Sequence, residues 1–170
     1  MVKVSVIIPT YKDWRRLELC LKALAGQSYP QDAFEIIVVN NYAHDTVPAG
    51  FYKPANCTII TETKPGSYAA RNAALKLVKG NILGFTDSDC IPEPDWIKNA
   101  VDYFEQYPDI ARVGGPLHIF FKGKGPTFTE LFDKKYAFPQ ESYAKSGFAV
   151  TGNLFVKDNC CRYHLYFCVR

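Results

Sequence analysis

A chain of 170 residues, 48% apolar and 22% charged, is long enough for one domain with a real hydrophobic core and too apolar for disorder. Its formal net charge of +3 is spread without a long basic run, which argues neither for nucleic acid nor for a membrane surface as a partner, so no nucleic acid is expected, and small anionic ligands stay open. The opening apolar run is too short for a signal peptide, and no stretch approaches the roughly 18 apolar residues of a membrane span, so a cytoplasmic protein is expected, free or at the inner face of the membrane.

Val2 to Ile8 is β-branched and apolar except at Lys3 and Ser5, which predicts a first buried strand closed by Pro9. Asp13 is a suitable N-cap, and Leu17, Cys20, Leu21 and Leu24 recur at helical spacing until Gly26. Phe34 to Val39 reads as a second strand, stopped by the turn-forming amides Asn40 and Asn41, and Cys57 to Thr61 as a third. Tyr68 to Val78 reads as a helix capped by Ser67, with Ala69, Ala70, Ala73, Ala74 and Leu77 on a face of small residues suited to close packing on a sheet.

Gly80 to Asp89 is the stretch around which the rest is organised. Ile82, Leu83 and Phe85 predict a short buried strand, and it ends in two carboxylates one residue apart, Asp87 and Asp89. In an open α/β sheet the carboxyl ends of the strands form the crevice where ligands bind. Two carboxylates there can share Mg²⁺ or Mn²⁺, a hard cation usually completed by water and substrate phosphate. The competing reading is a plain polar turn, since Asp and Ser bond their own backbone after strands.

Asp95 then starts a helix carrying Ile97, Ala100, Val101 and Phe104. Strand and helix alternate up to this point, which predicts a Rossmann-like, mainly parallel sheet with helices on both faces. Beyond it the pattern changes. Ala111 to Gly115 and Leu117 to Phe121 read as short strands split by Pro116, Thr127 to Ala137 as a helix, and Gly147 to Val156 as a buried strand interrupted at Gly152-Asn153. Cys20, Cys57 and Cys90 fall singly, while Cys160, Cys161 and Cys168 crowd the tail, which is no disulfide framework.

Five segments together carry a resemblance. Val4-Ser-Val-Ile-Ile-Pro-Thr-Tyr, Glu35-Ile-Ile-Val-Val-Asn-Asn, Gly66-Ser-Tyr-Ala-Ala-Arg-Asn-Ala-Ala-Leu, the stretch from Gly80 to Asp89, and Thr151-Gly-Asn-Leu-Phe-Val resemble, in order and spacing, the family-2 glycosyltransferases of the GT-A fold. The match covers nearly all of residues 2 to 156, which makes 1–156 the nucleotide-sugar-binding domain and 157–170 an atypical tail. The resemblance implies transfer of a sugar, with inversion, from a nucleoside-diphosphate sugar to a glycan or lipid-linked acceptor. It further implies that Pro9, Thr10 and Tyr11 lie against the base and ribose and that Asn40 and Asn41 face the base edge. Arg71 would approach the base or diphosphate, Asp87 the ribose or the metal, Ser88 would stand between the carboxylates, and Asp89 would hold the Mn²⁺ or Mg²⁺ that bridges the two phosphates.

Two departures accompany the resemblance. Family members usually carry an Asp after the second strand, where this chain has Asn40, Asn41, Tyr42, Ala43 and His44, so the preferred base stays open. The family's carboxylate base typically lies several tens of positions beyond the Gly-Asn motif, and this chain ends first. It is therefore expected to be a truncated or frame-altered product that keeps the donor-binding half, with an uncovered surface prone to self-association and a non-catalytic binding module as the alternative function. Asp133 and Glu141 are the late acids open to a substitute base. Cys160 or Cys161 with His164 and Cys168 could ligate Zn²⁺ but read more simply as packing, and His44 and His118 sit alone.

Overall fold

The protein is described by a computed structural model, covering residues 3–121, 123, 125–136 and 149–159. A six-stranded sheet forms its centre, in the order β3-β2-β1-β4-β6-β5. The strands are β1 (Val4–Thr10), β2 (Phe34–Asn40), β3 (Cys57–Thr61), β4 (Ile82–Phe85), β5 (Arg112–Gly114) and β6 (Leu154–Lys157), joined by helices α1 (Trp14–Ala25), α2 (Ser67–Leu75), α3 (Trp96–Gln106) and α4 (Phe128–Tyr136). β1, β2, β3 and β4 pair in parallel, and β6 runs antiparallel to β4 and β5. This is the mainly parallel α/β sheet that the strand and helix alternation predicts.

The pleat sorts side chains into two cores. Val4, Val6 and Ile8 of β1 face α1 and α3, where Leu17, Leu21, Leu24, Ile97, Val101 and Phe104 are buried. Ile7 faces the other way, onto Ala70 and Ala74 of α2, with Leu83 and Phe85 of β4. Helices thus cover both faces. Ser5 occupies the second face inside the sheet and is fully buried. Its hydroxyl donates to Glu35 Oε1 at 2.7 Å and accepts from the Gly80 amide at 2.9 Å, so no polar atom is stranded there. Gly80 is needed at that point because a Cβ would sit 2.7 Å from the backbone of Val4 and Ser5.

Several boundaries differ from the sequence reading. β1 continues through Pro9 to Thr10, because β4 runs out at Ile7↔Phe85 and only β2 lies beside Pro9, which therefore interrupts no ladder on its other side. α2 begins at Ser67 and is capped by Gly66, whose φ of 114° is closed to ordinary side chains. It ends at Leu75, and Leu77 is exposed instead of lining the small-residue face. Leu117 to Phe121 forms no strand. Nor is the stretch before Leu154 a bulged strand: residues 151–153 form a turn, β6 runs on into Lys157, and Gly147 lies outside the described residues. α4 opens on a reciprocal cap, Thr127 N donating to Glu130 Oε2 at 2.7 Å and Glu130 N to Thr127 Oγ1 at 3.3 Å.

Candidate functional site

The carboxyl ends of β1 and β4, the start of α1 and the start of α2 converge on a cleft of about 450 Å³. Pro9, Thr10, Tyr11, Asp13, Arg16, Asn41, Ser67, Arg71, Asp87, Ser88, Asp89 and Thr151 line it. Parallel strands put all their carboxyl ends on one edge, which is why segments far apart in sequence meet here.

Arg71 and Asp87 form the floor. Arg71 Nη2 donates to Asp87 Oδ1 at 2.5 Å, with the arginine side chain only 7% exposed and the aspartate 40%. Burial is the larger influence on Arg71 and pulls it below the ordinary guanidinium range, while the Asp87 carboxylate opposes that by charge and hydrogen bonding. At the mouth, Arg16 reaches two acids: Nε lies 2.6 Å from Asp13 Oδ2 and Nη1 3.3 Å from Asp89 Oδ2. Asp13 precedes α1 at the N-cap position but makes no side-chain cap; its carboxylate serves Arg16.

The loops are set by amides. Asn41 Nδ2 donates to the carbonyls of Glu62 and Lys64, at 2.9 and 2.8 Å, and its Oδ1 accepts from Gly66 N at 2.7 Å. One side chain therefore fixes the approach to α2, whose N-terminal end and Ser67 face the cleft. Asn40 does not line the cleft. Its Nδ2 donates to the Asp45 carbonyl at 2.7 Å and its Oδ1 accepts from Tyr42 N at 3.0 Å, so it shapes the loop after β2 instead of facing a ligand. That loop carries Tyr42 against Tyr11, edge to face at 5.3 Å, with Lys12 Nζ 4.0 Å from the Tyr42 ring centre. His44 is not alone, since its ring stands 5.6 Å from that of Tyr42.

From the far side of the sheet, Asn153 secures the turn that brings Thr151 in. Its Oδ1 accepts from Trp96 Nε1 at 2.8 Å, and its Nδ2 donates to the Pro116 carbonyl at 2.8 Å. Thr86 donates to the Gly152 carbonyl at 3.1 Å. The sequence pattern had marked Thr151-Gly-Asn without a task for each residue.

Pro9, Thr10, Tyr11, Asn41, Arg71, Asp87, Ser88 and Asp89 are brought together as one surface. The sequence reading does not include Arg16 in the site, and it takes Asp13 and Ser67 only as caps. The available signal is their position at the starts of α1 and α2, just beyond the loops that leave the carboxyl ends of β1 and β3. The tail cysteines, His164, Glu141 and the Asp133 side chain lie outside the described residues.

The cleft suits an anion with a cation beside it. Thr10 Oγ1 is buried on its wall and has no hydrogen-bond partner among the described residues, as expected of a group waiting for a ligand. Asp87 and Asp89 offer hard oxygens to a divalent ion such as Mg²⁺ or Mn²⁺, and both remain 40–50% exposed. No group of three or more metal-binding side chains occurs among the described residues. A pair of carboxylates fits an ion completed by water and phosphate, and does not fit a closed protein cage.

The chain is similar to several known proteins. The model of the family described as "Glycosyl transferase family 2" matches residues 5–165. The glycosyltransferase AglE of Haloferax volcanii is 35% identical over 162 residues, covering 92% of this chain and 53% of AglE. Among solved structures, the mannosyltransferase PcManGT of Pyrobaculum calidifontis, in complex with GDP-Man and Mn²⁺, superposes with a TM-score of 0.71 at 24% identity, covering 94% of this chain and 46% of that one. Staphylococcus aureus TarS 1-349 in complex with UDP-GlcNAc gives 0.65 at 21%, covering 95% and 47%. These likenesses show a shared GT-A fold. The chain spans about half the length of each of these proteins.

Proposed function

The chain belongs to glycosyl transferase family 2, and from that premise we propose that it binds a nucleoside-diphosphate sugar in the Arg71–Asp87 cleft and serves its transfer, with inversion, to a hydroxyl of a glycan or lipid-linked acceptor. The carrying observation is the cleft itself: a buried arginine paired with one of two strand-end carboxylates, a buried threonine hydroxyl with no hydrogen-bond partner among the described residues and a helix N-terminus, all at the carboxyl edge of a parallel sheet.

Each group has a task in that reading. The exposed Tyr11 ring, braced by Tyr42, offers a flat apolar face to the base. Thr10 hydrogen-bonds the nucleoside. The amides at the start of α2, beyond Gly66, and the Arg71 guanidinium place positive charge toward the diphosphate. Asp87 keeps Arg71 charged in its buried seat and, with Asp89, would hold a divalent ion, Mn²⁺ or Mg²⁺. Such an ion neutralises charge on the leaving diphosphate. Neither UDP nor GDP is preferred on these grounds, since PcManGT holds GDP-Man and TarS UDP-GlcNAc. No helix among the described residues is long and apolar enough to cross a membrane, and we place the reaction in the cytoplasm, free or at the inner membrane face.

The second reading keeps the pocket and drops turnover. It is favoured by one observation: the carboxylates that line the cleft among the described residues, Asp13, Asp87 and Asp89, all pair with arginine, so none of these three stands free as a base toward an acceptor hydroxyl. Calorimetry with UDP, GDP and their sugars, with and without Mn²⁺, tests the shared part, and absence of heat above dilution in every case ends both readings. Sugar transfer or donor hydrolysis, compared with Asp89→Ala, separates them. Release above the Asp89→Ala background supports the enzyme, and equal background release supports the binding module.

A further inference from the structure

Arg16 makes two contacts of different kinds. Its Nε sits 2.6 Å from Asp13 Oδ2, three residues before it at the start of α1, whereas its Nη1 reaches Asp89 Oδ2 at 3.3 Å across the cleft. The cross-cleft contact is long, and its side chains are 60% and 50% exposed, so it is a weak bond that water can replace. The Arg71 bond to Asp87 is the opposite case, short and with its arginine buried, and breaking it would take the main counter-charge from a guanidinium with little exposure.

Asp89 has one negative charge. A divalent ion and a guanidinium cannot both be well neutralised by it, and they repel each other at contact distance. Resting on the donor-binding reading above, we infer that Arg16 is an exchangeable counter-ion of this cleft. It holds Asp89 while the cleft is empty and yields that carboxylate to the incoming cation. Tethered by Asp13, it then turns its free donors onto the diphosphate of the donor. A planar fork of N–H groups matches phosphate oxygens, and the tether keeps it at the mouth without a search through rotamers. Metal and nucleotide become coupled: the ion alone binds against Arg16, and the nucleotide gives the displaced guanidinium a new partner. By linkage each ligand tightens the other.

The experiment measures Mn²⁺ binding to the 170-residue chain by electron paramagnetic resonance, and UDP and GDP binding with Mn²⁺ by calorimetry. The proteins are wild type, Arg16→Met, Arg16→Lys, Arg15→Met and Asp89→Asn. Methionine keeps the apolar stem of Arg16, and thermal melting verifies folding. Arg15 makes no ion pair among the described residues and controls for loss of a positive charge on the same helix.

Arg16→Met is expected to bind Mn²⁺ alone about two- to fivefold more tightly than wild type, and either nucleotide with Mn²⁺ about fivefold more weakly. Arg16→Lys keeps the wild-type Mn²⁺ affinity but loses part of the nucleotide affinity, since an ammonium lacks the fork. Arg15→Met matches wild type in both. Mn²⁺ affinity unchanged or weakened in Arg16→Met, or nucleotide affinity unchanged, overturns the inference. If wild type binds and Asp89→Asn does not, while Arg16→Met equals wild type, the donor-binding reading stands and only the role of Arg16 is lost. If wild type binds neither nucleotide with Mn²⁺, the reading beneath it falls and takes the inference with it.

Discussion

Arg71 is charged in a place with little water, and that fact makes its partner more valuable to folding than an ordinary surface acid. Removing the Asp87 carboxylate leaves a buried guanidinium without its main counter-charge, whereas the 40% exposed aspartate is better able to tolerate loss of the arginine. Asp87→Ala is therefore expected to cost about 2 kcal/mol, below the full penalty for a wholly buried pair, and Asp89→Ala under about 0.5 kcal/mol. Urea denaturation checks the contrast. The buried thiols give a pH dependence. Burial pushes Cys57 up to about 11 from its ordinary value near 9, with Lys53 pulling the other way, and burial raises Cys20 as well. A thiol raised in the folded state contributes its full stability below the unfolded value. Between about pH 9 and 11 the unfolded chain loses the proton first, so stability falls as pH rises. The Cys57 share of that fall is expected to reach about 2 kcal/mol, read as the difference between wild type and Cys57→Ala in urea titrations at pH 8 and 10.5.

At the scale of the elements, the cleft depends on where chains are allowed to approach one another. Gly80 lets the segment between α2 and β4 lie against β1, and β4 then delivers Asp87 and Asp89 to the right edge. Gly80→Ala drives a Cβ to 2.7 Å from strand backbone, which cannot move as a side-chain tip would. A loss of about 2–3 kcal/mol is expected in thermal or urea unfolding, together with weaker nucleotide binding because β4 is displaced. Asn41 does comparable work between β2 and α2. Its three bonds to backbone are expected to make Asn41→Asp harmful, since a carboxylate cannot donate to the Glu62 and Lys64 carbonyls.

Across the whole molecule, apolar surface remains outside the two cores. Phe128 is 86% exposed on α4, and Leu131, Phe132 and Tyr136 on the same helix and Phe120 before it are exposed too. Such a patch associates readily in water. Light scattering is expected to show concentration-dependent self-association, reduced in Phe128→Ser/Phe132→Ser; a monomer at high concentration would contradict it. Much of this molecule was legible in its sequence. β-branched runs, helical spacing of Leu17, Cys20, Leu21 and Leu24, and the acidic pair after β4 are local signals, because secondary structure and burial follow from the periodicity of neighbouring side chains. The resemblance added the family and the order of the motifs. What the chain alone did not disclose were relations between distant segments. The continuation of β1 past Pro9 depended on how far β4 extends beside it, and the tasks of Asn40 and Asn41 on which carbonyls the next loops present. Arg16 joined the cleft only because folding sets α1 beside the end of β4. Local pattern decides which face of a strand or helix is apolar, while pairings of charge and hydrogen bond across a cleft exist only once tertiary packing has set the distances.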